Sequence, residues 1–136
     1  MSKLLRISFP SNTDYLRCIE AFFQNFMNIN GLYKSLDAND VFLALIEGVV
    51  NAVKHGNRGD THKNVTLTLS YEGDLLKIIV EDGGHGFDPD DVKDPTHPDN
   101  ISVPGGRGIF LMRQLMDGVE YEFNDDGTRL IMVKNV

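Results

Sequence analysis

The hydrophobic period of this chain changes at Gly56-Asn57, and that change limits the fold more than any single residue does. Before it, apolar residues recur at helical spacing; after it, they alternate with polar ones as in strands with one buried face. Ser11-Asn12-Thr13-Asp14 reads as a capping box, with Asp in place of Glu or Gln, and opens a helix to about Met27 that Asn30-Gly31 breaks. Asp37 caps a long second helix over 37–55, which Gly56-Asn57 stops. Residues 64–71 and 75–81 alternate on either side of Glu72-Gly73-Asp74 and predict a hairpin. Residues 3–9 form a short strand ending at Pro10, a third helix fits 107–117, and a closing hairpin of 119–124 and 128–134 turns at Asn124-Asp125-Asp126-Gly127. Helices and strands in separate runs predict an α+β fold. The expected form is a two-layer sandwich, with a mixed, mostly antiparallel sheet and helices on one face.

The 136 residues suffice for one domain with a real core, and 41% hydrophobic with 24% charged content is ordinary for a globular protein. No apolar run approaches the ~18–20 residues of a membrane span. The first ten residues lack the apolar length and cleavage site of a signal peptide, so a cytoplasmic protein is expected. A net charge of −7 without a basic block argues against nucleic-acid binding, which needs clustered Lys and Arg. An acidic chain that binds a polyanion must neutralise it locally, with a divalent cation, a helix N-terminus or a few placed cations. Cys18, the single cysteine, can form no internal disulfide and is expected as a buried, inert thiol. His55, His62, His85 and His97 have no metal-ligand spacing, which argues against zinc.

The helix 37–55 carries the polar chemistry. At ~100° per residue, Phe42, Leu45, Ile46, Val49 and Val53 share one face, and Glu47, Asn51, Lys54 and His55 lie opposite. Glu47 and Asn51 are four apart, so their side chains stack and can act on a single object. A carboxylate can take a proton or orient a nucleophile. A carboxamide oxygen is a neutral, hard ligand for magnesium. Ala44 and Gly48 border the stripe and are small enough to admit a bulky ligand.

The strand 75–81 runs into Asp82-Gly83-Gly84-His85-Gly86-Phe87, where an aspartate at a pocket floor suits the exocyclic amine of adenine. From Asp88 to Pro104 the chain is rich in Asp, Pro and Asn without apolar period, as expected of a functional loop or lid. Gly105-Gly106-Arg107-Gly108 then opens an apolar helix, whose free N–H groups and positive dipole end form a phosphate seat. The glycines match neither a dinucleotide-binding fingerprint nor a P-loop, and the strand lysine and catalytic-loop aspartate of protein kinases are missing.

The order of these features resembles the GHKL ATPases, the superfamily that includes the histidine-kinase catalytic domain. The resemblance spans about 37 to 130 and rests on three boxes: Glu47-Gly48-Val49-Val50-Asn51-Ala52-Val53-Lys54-His55-Gly56-Asn57, then Asp82-Gly83-Gly84-His85-Gly86-Phe87, then Gly105-Gly106-Arg107-Gly108. Within that superfamily the chain is similar to the anti-sigma-factor serine kinases of bacterial partner switching. This implies ATP and Mg2+ as cofactors, Asn51 as the magnesium ligand and Glu47 as the base. It implies that Asp82 binds adenine with Thr128 in support, that Gly84 and Gly86 let the chain pass close to the nucleotide, and that Gly106 and Gly108 hold phosphates with Arg107 as a cationic helper. Residues 88–104 become the ATP lid. The implied partners are a sigma factor, an anti-anti-sigma protein and a second copy of the chain. A nucleotide-gated binding module that does not phosphorylate its partner is the alternative. Phe22, Phe23, Phe26 and Met27 suit a core or an interface equally.

Overall fold

The computed structural model describes residues 3–34, 37–84 and 106–136, so Gly86, Gly105 and the expected lid lie outside the described residues. Five strands form one sheet: β1 (Lys3–Pro10), β2 (Asn64–Glu72), β3 (Leu75–Asp82), β4 (Gly118–Asn124) and β5 (Gly127–Asn135). Their order is β1-β2-β3-β5-β4, and every ladder is antiparallel, so the expected mixed sheet is uniform in direction. The β2–β3 turn has positive φ at both Gly73 (56°) and Asp74 (63°), the twist that suits a two-residue hairpin loop.

The inner face of the sheet is apolar. One cross-strand row reads Ile7, Leu67, Val80, Leu130, Tyr121, and its neighbours Leu69, Ile78 and Met132 are fully buried. Helices α1 (Leu16–Ile29), α2 (Ala38–Asn51) and α3 (Gly106–Leu115) contribute Ile19, Phe23, Val41, Leu45, Val49, Ile109 and Met112 to the same core. The outer face is polar. Its row Ser8, Thr66, Glu81, Arg129, Glu122 is linked by a 2.6 Å hydroxyl pair at one end and by Arg129 ion pairs of 3.3 and 3.7 Å to Glu81 and Glu122 at the other.

Phe23, Phe26 and Met27 lie in the core, with Phe23 and Phe42 ring centroids 5.3 Å apart, which settles their double reading in favour of packing. Three local expectations are corrected. Cys18 is exposed, because α1 turns its neighbour Ile19 inward instead. Asn12 rather than Ser11 is the cap, and it caps the 3-10 turn Thr13–Tyr15 that leads into α1: its Oδ1 accepts from the Asp14 N–H at 2.9 Å, whereas Ser11 is buried and its hydroxyl donates to Lys63 O at 2.7 Å. The buried face of α2 is centred on Val41, Ala44, Leu45, Gly48 and Val49, so Phe42 and Ile46 are only partly covered.

Candidate nucleotide site

Asp37 caps α2 as expected, its carboxylate accepting from the Asn39 and Asp40 N–H groups at 3.1 and 3.3 Å. The helix does not continue regularly to residue 55. After Asn51 it widens into one π turn, Ala52–Gly56, closed by the Asn57 N–H on Ala52 O at 2.8 Å. Such turns insert one extra residue and recur at functional sites. Here the turn delivers the Gly56 backbone against the end of β3. A Cβ on Gly56 would collide with the Asp82 carboxylate, and one on Gly84 would collide with the Gly56 carbonyl. The first box and the second are therefore locked together through glycine backbones.

A narrow recess lies between the helix end and the sheet. Asn51, Gly56, Asp82 and Thr128 line it, with Gly48 and Tyr121. Asp82 and Thr128 are directly paired across β3 and β5, and Gly127 permits this by having no side chain to strike the Asp82 backbone. Asp82 Oδ1 accepts from the Gly84 N–H at 2.8 Å. Burial raises the Asp82 pKa above the ordinary carboxylate value, while the N–H groups of Gly84 and Thr128 and the charge of Lys63 pull it down. Thr128 Oγ1 is buried without a hydrogen-bond partner in the protein. Buried polar atoms are normally satisfied, so this one marks a place for a water or ligand atom.

The other end of the site is formed where α2 and α3 pack. A Cβ on Gly108 would lie 2.7 Å from Glu47 Oε2 and 3.2 Å from Asn51 Nδ2, so the third box meets the first at a residue with no side chain. Asn51 is 6% exposed, and Glu47 is half-buried. Gly106 is the first residue of α3, as a helix opening on glycine requires, and Arg107 is exposed beside it. Lys54 and His55 are exposed on the π turn and do not line the recess. Gly48 does line it, but Ala44 is fully buried in the core and offers nothing to a ligand.

Two residues of this region gained no role from the sequence. Tyr121 ends the otherwise aliphatic inner row, and its buried phenol lines the recess together with Asn51. Burial raises its pKa, against the effect of Asn51. The β4 alternation placed Tyr121 on the inner face, which was the available signal. Asn57 is 2% exposed and bonded to three other segments, although helix stops of this type are normally solvated.

The antiparallel sheet backed by α2 and α3, with the recess between them, is the architecture of a histidine kinase-like ATPase domain. Residues 9–134 match that family, and the chain belongs to it. Within it, the chain is akin to the serine-protein kinases called RsbW. That of Bacillus licheniformis is 30% identical over 131 residues, covering 92% of this chain and 81% of the relative. That of Bacillus subtilis (strain 168) is 28% identical over 136 residues, covering 96% and 84%. The fold is also that of the solved RsbU and RsbW domains of Rv1364c from Mycobacterium tuberculosis, with a TM-score of 0.64 at 17% identity over 98% of this chain and 32% of that one. A histidine kinase domain from Erythrobacter litoralis superposes with a TM-score of 0.54 at 23% identity, over 72% of this chain and 44% of that one.

Proposed function

We propose that this chain is an ATP-dependent protein serine kinase that acts as an anti-sigma factor in bacterial partner switching and phosphorylates an anti-anti-sigma protein. The observation that carries the reading is the meeting of Glu47, Asn51 and Gly108 where α2 and α3 pack, with Asn51 also lining the recess that holds Asp82 and Thr128. That spacing suits a nucleotide with its base on Asp82 and its phosphates toward α3. The kinship to RsbW serine-protein kinases supports the choice of a protein hydroxyl as acceptor.

In this reading Asp82 accepts from the adenine amine, and Thr128 Oγ1 completes the contact through a water. Gly84, and Gly86 beyond the described residues, let the chain lie close to the nucleotide. Gly106 and Gly108 present backbone N–H groups to the phosphates at the start of α3, with Arg107 adding positive charge. Among the described residues no group of three or more His, Cys, Asp or Glu could hold a metal by itself. A buried carboxamide beside the phosphate end fits Mg2+, which keeps most of its ligands from phosphate and water. Asn51 would hold it, and the ion would offset phosphate charge. Glu47 takes the proton of the attacking serine hydroxyl as that oxygen bonds to the γ-phosphorus, and ADP leaves with the bridging oxygen.

Residues 88–104 serve as the lid, and ATP and ADP favour different partners through it. The chain works in the cytoplasm as a homodimer, away from membrane and nucleic acid. No helix among the described residues is long and apolar enough to cross a membrane.

Incubation with Mg-[γ-³²P]ATP and a candidate antagonist tests the transfer. Label on an antagonist serine is expected. ATP binding without transfer to any antagonist would leave the second reading, a nucleotide-gated module that grips its partner without phosphorylating it.

A further inference from the structure

Asn57 follows the π turn, and its buried side chain makes three hydrogen bonds beside the recess. Its Nδ2 donates to Ser11 Oγ at 2.7 Å and to Asn64 O at 3.1 Å, and its Oδ1 accepts from the Gly83 N–H at 2.8 Å. Ser11 is itself fixed, because its N–H and hydroxyl both donate to Lys63 O, at 3.1 and 2.7 Å. One carboxamide thus ties the end of β1, the start of β2 and the residue after β3 to the end of the helix. A carboxamide has two donors and an acceptor oxygen, and here both kinds of group are used.

The position of Gly83 matters because it follows Asp82. The Gly84 N–H already occupies Asp82 Oδ1, and Gly56 blocks any retreat of the carboxylate toward the helix. With the Gly83 N–H held by Asn57, the Asp82-Gly83-Gly84 turn is also tied down by a bond outside the recess. We infer that Asn57 is a positioning residue for base recognition, holding the Asp82 carboxylate in its ligand-ready orientation before nucleotide arrives. Preorganisation of this kind raises affinity by removing the cost of ordering the acceptor on binding. The inference rests on the proposed role of Asp82 and adds the group that sets its aim.

The test is ATP affinity by calorimetry in the presence of Mg2+, for Asp82→Asn, Asn57→Ala and the double variant, with a melting curve for each. Asn57→Ala is expected to weaken ATP binding about tenfold. Because Asn57 acts through Asp82, the double variant should bind no more weakly than Asp82→Asn alone. Additive losses would assign Asn57 to general stability and overturn the role. So would unchanged affinity in Asn57→Ala while Asp82→Asn is weak. Unchanged affinity in Asp82→Asn would instead remove the nucleotide reading of the recess, and this inference with it. Should Asn57→Ala not fold, Ser11→Ala carries the test. It removes an acceptor for the Asn57 carboxamide but keeps the Ser11 N–H on Lys63 O. A loss of about threefold is expected there, and wild-type affinity would overturn the role.

Discussion

The two ends of the candidate site are built from different material. At the Asp82 end the contacts are made by backbone: Gly56, Gly84 and Gly127 each lie where a Cβ would collide, and Gly83 and Gly84 donate to fixed side-chain oxygens. At the Glu47 end Gly108 is close-packed too, but what it admits are side chains, Glu47 and Asn51, of which Glu47 is half-buried. Backbone held by interlocking neighbours has little freedom left to lose, whereas a glutamate retains rotamers until a ligand orders it. Under the proposed function the contrast separates recognition from chemistry along one site: the rigid end would supply affinity, and the adjustable end rate.

The largest expected effect breaks that separation if it fails. Glu47→Ala should lower phosphoryl transfer by about 10²- to 10⁴-fold while ATP affinity, measured by calorimetry, stays near wild type. A parallel loss of affinity would show that the two ends are not independent. At the rigid end, Gly84→Ala forces a methyl group into the Gly56 carbonyl. It should cost about 1–3 kcal/mol of stability in denaturant unfolding and abolish tight nucleotide binding. A fully stable variant that still binds ATP would mean the interlock yields easily.

The smallest effect sharpens the comparison through pH. Asp82 has a raised native pKa, so between its ordinary value and the raised one the folded protein binds more protons than the unfolded chain. Stability without ligand should therefore gain from this group as pH falls through that window. ATP affinity should fall over the same window, by at most about tenfold per pH unit for one proton, because the carboxylate acceptor is lost. Opposite slopes in calorimetry and denaturant titrations are the signature. Parallel slopes would assign the pH dependence to another group.

Most of the architecture was legible because the signals were local. The alternation in 64–71 and 75–81, the Asp37 cap and the turn residues each act over a few positions, and the strands and α3 formed within two residues of their expected bounds, whereas α1 starts later and α2 ends earlier than expected. What escaped depends on the third dimension. The buried face of α2 rotated toward Ala44 and Gly48 because Leu130, Met132 and Val80 press there, and no spacing within 37–55 reports on β5. Ser11 looked like a cap because its partner, Lys63 O, is 52 residues away. The site followed the same rule. Glu47 with Asn51, and Asp82 with its glycines, could be chosen from the sequence as pairs within one element. Asn57 and Tyr121 could not, because their value lies in neighbours from distant segments of the chain.

The π turn at Ala52–Gly56 has a consequence for how this chain tolerates change in length. A residue removed from that turn would let α2 close as ordinary helix, and everything after it would be carried about 100° around the axis. Even if the residue lost were the exposed Lys54 or His55, Gly56 would leave Asp82, and Asn57 would leave Ser11, Asn64 and Gly83 in a single step. The segment keeps time for the site, so its length is under tighter constraint than the identity of the exposed Lys54 and His55 that it carries.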